Sequence, residues 1–516
     1  MRFNLASKRA AWGLTAVIAG ILFLSFAIGV DPPGFTGSEA DESAFWAELN
    51  ECTTGLVSGS VTPDGRPLLW KNRDVGNTNQ EFHYYDDGRI PFISITYSGD
   101  TDEYYGGINA AGFALENSNS YNLPAGPGRN GWGASDDDGE IHLLALSTCR
   151  TVDDFQRLMD STNVDGRTLN SNYGAFDALG GAAMFETGGY TYTRIDADDT
   201  PDGFIVRANH SYSGTGLNQR PAYWGPNRHD RGYALWKWAA DHGELTARYI
   251  FQKTIRNLAA EGMDDYELPY RGQYQDWPIG LIPNGECICR STTRGVLVAQ
   301  GVRRGENPYN SILWAMAGNQ LGSIVTPLWV RAGSVPVEYD SPAGSRICTR
   351  AQEIATWIYD TGLYGGTAVN TWKLVNPEGT GYWDWAFPLE DYMFAKVDRF
   401  VHSPQFSYDR LRAFQNEMAQ QIADSMAAWH PQYISTEVFD LVFLGNNIEL
   451  RWGEMQGLRG EGGAPIPPRQ YAVYRSSEPF RDHNRGERIA EVELPRYLDE
   501  NPPTNNAFYR VEALFY

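Results

Sequence analysis

Apolar and polar positions alternate with the two-residue period of strands through several stretches of the chain. GLVSGSV and PLLW flank an Asp64-Gly65 turn and predict a hairpin. RIPFISITY (89–97) reads as a strand, and GGINAAGFALENSNSY (106–121) as two short strands around an Asn-Ala-Ala-Gly turn. The period lengthens at 140–160 (EIHLLALSTCRTVDDFQRLMD), which predicts two helices broken near Thr151. GGAAMFETGGYTYTRID (180–196) predicts a hairpin turning at Gly188-Gly189. Helical texture covers 230–262, strands return at 286–299 and 310–330, and helices at 349–360 and 408–428. Strand runs and helix runs in this order suit an α+β layered domain better than regular βαβ alternation.

The character shifts near residue 432. VFDLVFLGNNIELRW, QYAVYRSSEPF, RIAEVEL and AFYRVEALFY are short strands in turn-rich text. Residues 437–516 have the length of one small all-β sandwich. With Trp452 ending an early strand, Tyr471 and Tyr474 in YAVYR and Tyr509 in FYRVEA, they resemble a fibronectin type III module. Such a module would contact a cell surface or another protein.

The first 30 residues differ from all the rest. Arg2, Lys8 and Arg9 precede an apolar run from Ala10 to Val30, ending near Ala27-Ile28-Gly29. This reads as a secretory signal peptide, with a membrane anchor as the other outcome. Both export the chain. Residues 31–51 are acidic and rich in Pro, Gly and Ser at first, as a linker or propeptide, with a helical turn or two at Ala44–Leu49.

The formal charge is −22, from 42 Lys and Arg against 64 Asp and Glu. A surface of that sign repels phosphate backbones, which argues against nucleic acid. The five cysteines are Cys52, Cys149, Cys287, Cys289 and Cys348. With Cys52 free, four remain in an exported protein. Cys287 and Cys289, read as neighbours on one face of a strand, would strain a bridge to each other, so each would need Cys149 or Cys348. Reduced buried thiols are the equal alternative. No Gly-x-Ser-x-Gly elbow, His-Glu-x-x-His or Cys-x-x-Cys pair occurs, so the sequence calls for no metal and no cofactor. Ser135-Asp-Asp-Asp-Gly-Glu140 reads as a solvated acidic loop, its spacing fitting no standard calcium loop.

A turn centred near residue 64 folds position 52 back opposite position 75 or 76. That places Asp74 and Asn72 beside Cys52, at a neighbouring-strand distance of about 5 Å. A cysteine on a strand is ordinarily core. A cysteine that begins a processed chain is different, because its own α-amine, with a pKa of about 7.7–8.0, can take the thiol proton.

CTTGLVSGSVTPDGRPLLWKNRD resembles the start of the N-terminal-nucleophile hydrolases of the choloylglycine hydrolase, penicillin V acylase and isopenicillin N acyltransferase group. The resemblance implies a four-layer αββα sandwich over about 52–432, with Cys52 as nucleophile and Asp74 as the acid that holds its α-amine. Lys71 stands where the family commonly has Arg, keeping the charge without the planar fork, and Arg73 could substitute. GGINAAGFALENSNSY matches the strand pair that carries an oxyanion-binding Asn, here Asn119, or Asn117 if the register is off by two. IVRANHSYSG offers Asn209 as a second asparagine near the nucleophile. ECICRSTTRG offers Arg290, with Arg294 the alternative.

The implied activity is cleavage of a small-molecule linear amide through a Cys52 thioester, after the chain exposes Cys52 by cutting Glu51–Cys52. An acyltransferase on the same scaffold is the close alternative. A secreted binding or adhesion protein with an inactive hydrolase scaffold is the alternative from another class.

Overall fold

A computed structural model describes residues 51–126, 138–259, 266–272, 274–275, 277, 280–360, 368–376 and 379–430, and beyond these 435–436, 440–444, 447–452, 458–459, 465–466, 470–477, 486–492, 496–502 and 507–514. The predicted signal or anchor, the linker with its Ala44–Leu49 helical turn, and residues 135–137 of the acidic stretch lie outside the described residues, while 138–140 begin a helix. Among the described residues, no helix is long and apolar enough to cross a membrane.

The chain is mixed α and β, with several antiparallel sheets. β1 (Thr53–Val57) and β2 (Leu68–Asp74) form the predicted hairpin. β3 (Gln80–Tyr85), β4 (Phe92–Tyr97), β5 (Gly106–Asn109), β6 (Ala114–Asn119), β7 (Ser171–Phe176), β8 (Ala182–Thr187) and β9 (Tyr192–Asp196) pair in chain order as one seven-stranded sheet. The turn between β5 and β6 needs Gly112 at φ +78°, a conformation open to glycine at little cost. β10 (Phe204–Arg207) returns beside β1. With β11 (Leu281–Pro283) placed in a separate small sheet, β12 (Thr293–Gln300), β13 (Ile312–Ala317) and β14 (Thr326–Leu328) complete a six-stranded sheet of order β10-β1-β2-β12-β13-β14.

The two large sheets lie against each other, β1 and β2 meeting β6 and β7. Polar pairs cross between them: Lys71 Nζ donates to the Asn117 carbonyl oxygen at 2.7 Å, and Arg207 Nε pairs with Glu186 Oε1 at 2.7 Å. Phe92, Leu115, Tyr173 and Phe185 of the seven-stranded sheet and Phe113 of the β5–β6 turn pack with Ile141, Leu146, Phe155 and Met159 from helices Asp138–Thr148 and Val152–Asp165. Thr151 caps the second of these helices in a reciprocal box with Asp154, which explains the predicted break there. The six-stranded sheet packs against helices Pro226–Asp241, Arg346–Ile358 and Leu411–Ala428. Trp236 lies so close to Gly55 in β1 that a Cβ there would fall 2.3 Å from its ring.

Three expectations need correction. The hairpin register is Thr53↔Asn72, so its continuation sets Cys52 opposite residue 73, not 75 or 76. The connecting loop holds a 3-10 turn at Gly59–Val61 before Asp64-Gly65, which moves the fold-back point toward the N-terminus. Cys287 and Cys289 lie in bends rather than on a strand. Their apolar run is buried because the loop threads into the core, tied by the Cys289 N–H to the Asn257 carbonyl at 3.0 Å. All five cysteines are buried free thiols, as in the second of the two cysteine readings. The helical texture at 230–262 is interrupted: helix Pro226–Asp241 stops before Gly243, at φ +67°, and a short π turn follows at Ile250–Thr254. Helix Tyr382–Val401 escaped the pattern because Pro388 lies inside it.

In the C-terminal part, Gln470–Ser476 pairs with Glu487–Val492 and Phe508–Leu514, while Asn447–Arg451 pairs with Asp440–Leu444 and Arg496–Asp499. Leu450, Trp452, Tyr471, Val473, Tyr509 and Val511 form its core.

Candidate active site

Cys52 immediately precedes β1, and β1 sits between β10 and β2. The β1–β10 register is Thr54↔Arg207; carried on, it sets Asn209 opposite Cys52. The β1–β2 register sets residue 73 on the other side, one position before Asp74. Strand pairing alone thus sets the cysteine between an asparagine on one side and, on the other, Arg73 with the Asp74 carboxylate one position further on.

Asp74 is buried. Its Oδ1 accepts from Thr293 Oγ1 at 2.6 Å, and Thr293 is its cross-strand partner on β12. Its Oδ2 has no hydrogen-bond partner, although Arg290 Nη1 stands 3.8 Å away and Arg228 Nη1 3.9 Å. Burial pushes the Asp74 carboxyl up to about 6, against the pull of both arginines and the Thr293 bond, with Glu51 adding to the rise.

Arg228 is fully buried in the first turn of helix Pro226–Asp241. Its Nη1 donates to the Cys52 carbonyl oxygen and to Thr53 Oγ1, both at 3.0 Å. Its Nη2 donates to Asn209 Oδ1 at 3.1 Å and to Glu51 Oε2 at 3.2 Å. Arg290 Nη1 pairs with the same Glu51 oxygen. Asn209 Nδ2 donates to the Asn119 carbonyl oxygen at 3.1 Å, which ties the end of β6 to this cluster.

Burial raises the Cys52 thiol above its ordinary range. The Lys71 charge is the largest influence against that rise, joined by a hydrogen bond from the Asp74 backbone N–H. Lys71 is itself fixed across the sheets by Asn117, whose Oδ1 accepts from its Nζ at 2.5 Å. Arg73 does not take the place of an arginine at position 71. Its guanidinium lies 3.5 Å over the Tyr105 ring, and its Nε donates to Gln80.

Of the predicted residues, Cys52, Asp74, Asn119, Asn209 and Arg290 meet in one cluster, with Lys71 acting on the thiol from between the sheets. Asn117 holds Lys71 and Ser171. Arg294 points elsewhere, donating to the Ser291 carbonyl oxygen. Sequence reasoning missed Arg228, Thr293, Glu51 and Tyr121. Burial, with Glu51 and Cys52 close by, pushes the Tyr121 hydroxyl well above its usual range. The signal for Arg228 was an arginine beside Pro226 at a helix start, where a cation opposes the helix dipole and needs other partners.

Glu81, His83 and Asp340 hold ligand-type atoms within 4.8 Å of one another. Those atoms are already bonded: His83 Nδ1 to Asp340 Oδ2 at 2.7 Å, and Glu81 to the Gly99 N–H and the Ser98 hydroxyl.

No protein-family model and no curated protein matches the chain. Solved structures similar to it include a variant of conjugated bile acid hydrolase from Clostridium perfringens, at 11% identity and TM-score 0.33, covering 54% of this chain and 92% of that one. Penicillin V acylase from Agrobacterium tumefaciens aligns at 12% identity and TM-score 0.33, covering 54% and 86%. A Caenorhabditis elegans N-acylethanolamine-hydrolyzing acid amidase ortholog aligns at 11% and 0.32, covering 48% and 92%.

Proposed function

We propose that this chain is an exported amidohydrolase of the N-terminal-nucleophile kind, with Cys52 as nucleophile once the Glu51–Cys52 bond is cut. The observation that carries the reading is the cluster around residues 51 and 52: Arg228 and Arg290 hold the Glu51 carboxylate, Arg228 also binds the Cys52 carbonyl and Asn209, and both arginines border Asp74. The paired sheets with helices against both suit a four-layer αββα domain over 52–432, and the strands beyond 437 suit a fibronectin type III-like module.

In this reading the free α-amine of Cys52 accepts the thiol proton, and the sulfur attacks the amide carbonyl carbon. The C–N bond breaks, the amine product leaves with the proton from the α-ammonium, and a thioester remains. Water then attacks the thioester, releasing the acid and restoring the thiol. Asp74 Oδ2 is assigned to the α-ammonium. Asn119 and Asn209 are assigned to the tetrahedral oxyanion, where one donor contributes on the order of 3–4 kcal/mol. Lys71 lowers the cost of the thiolate.

The test is a panel of N-acyl amides assayed with the processed protein, beside Cys52→Ala. The reading expects release of an amine by the wild type, a transient acyl group on Cys52 by mass, and neither for Cys52→Ala. Amine release by Cys52→Ala at the wild-type rate would remove the nucleophile.

A further inference from the structure

Glu51 is the residue on the acyl side of the proposed cut, and its carboxylate is clasped by two guanidiniums. Arg228 Nη2 reaches Oε2 at 3.2 Å, and Arg290 Nη1 pairs with the same oxygen. The fold holds these cations in place without Glu51. Arg228 is pinned by the Cys52 carbonyl, Thr53 and Asn209, and both arginines border Asp74. Each also has a buried Nε with no hydrogen-bond partner.

Cutting the Glu51–Cys52 bond takes the Glu51 carboxylate away and adds an amine. Arg228 and Arg290 then keep Asp74 as the acid that borders both, with Glu286 also acting on Arg290 and the buried Glu116 close to Lys71. A buried guanidinium requires an anionic partner. This cationic site is a local inversion in a chain whose formal charge is −22, so an anion drawn here is held by the site and not by the surface.

We infer that the place vacated by Glu51 is a carboxylate subsite for the acyl half of the substrate. The substrate class is the amide of a dicarboxylic acyl group with the carbon chain of glutamate: glutaryl or α-glutamyl amides. The inference rests on the proposed function, because it takes residue 51 as the first acyl group that Cys52 attacks. The substrate's acyl carbonyl replaces the Glu51 carbonyl, and its distal carboxylate replaces the Glu51 side chain between Arg228 and Arg290. Planar guanidiniums suit that role because their N–H pairs match carboxylate geometry.

The experiment compares glutaryl-p-nitroanilide with pentanoyl-p-nitroanilide, of equal chain length and no carboxylate, on the processed wild-type protein. The expected result is a kcat/KM ratio on the order of 100-fold or more in favour of the glutaryl compound. Arg290→Gln should cut that ratio mainly through KM of the glutaryl anilide. A pentanoyl anilide cleaved as well as the glutaryl one overturns the inference and leaves the hydrolase reading intact. The carboxylate subsite is equally overturned if neither anilide reacts but uncharged N-acyl amides do. If no amide is cleaved and none acylates Cys52, both readings fall.

Discussion

Thr293 donates its hydroxyl to Asp74 Oδ1 at 2.6 Å, while the other Asp74 oxygen is buried without a hydrogen bond. One oxygen is thus fixed and the other is left facing two arginines and the start of β1. Burial holds this carboxyl at about 6 in the uncut chain. Self-cleavage should therefore rise with pH through about 6, and Asp74→Asn should abolish both the limb and the cut. Timed gels across pH 4.5–8 check this. Glu51 is one cause of the raised value, so after the cut the turnover limb should lie below about 6.

The same shift has a stability sign. A carboxyl raised from an ordinary range of about 3.9 binds its proton more tightly folded than unfolded. Its contribution is fully present below about 3.9 and is lost as pH rises through about 6. In a Cys52→Ala background, which stays uncut, adding Asp74→Asn should raise Tm at pH 7.5 relative to the parent, and change it least near pH 4. Melting curves at the two pH values decide the sign.

Lys71 is the main influence opposing the raised Cys52 thiol. Lys71→Met should move the pH profile of Cys52 alkylation upward and slow turnover about 10-fold or more, since a shift of one unit is about 1.4 kcal/mol. Lys71→Arg keeps the charge and should recover part of the rate. An unchanged alkylation profile in Lys71→Met would show that the charge does not act on the thiol.

Far from Cys52, Arg256 makes two 2.8 Å bonds to Glu390 and further bonds to the Ser323 and Gln320 carbonyls, all buried. It fastens the Pro388-containing helix to the connection between β13 and β14. Glu390→Gln leaves a buried guanidinium uncompensated and should cost about 3–5 kcal/mol. Denaturant melts should record the loss, with kcat unaffected at temperatures where the variant is folded.

In the C-terminal part, Tyr509 donates to Asp499 Oδ2 at 2.6 Å and Trp452 packs edge-on against Tyr471 at 5.4 Å. The described strands beyond residue 434 pair among themselves. A chain ending at 432 should still fold, cut itself and turn over small amides. Circular dichroism and the anilide assay check it.

The hairpin was legible because alternation and an Asp-Gly turn both act over a few residues. Its register was not, because a 3-10 turn inside the loop displaces the fold-back point without any change of periodicity. Asn119 and Asn209 could be named from motif text, yet their meeting depends on β6 and β10 lying in two different sheets. Arg228 reaches Cys52 across 176 positions of sequence, and no local pattern reports such a contact. The Cys287–Cys289 stretch misled for the opposite reason: a buried loop and a buried strand share the same apolar composition.

Mass determination of the purified, catalytically active protein tests the central claim most directly. The account predicts a mature chain that begins Cys52-Thr53-Thr54, absent in Cys52→Ala. An intact Glu51–Cys52 bond in a protein that turns over amide substrate would contradict it.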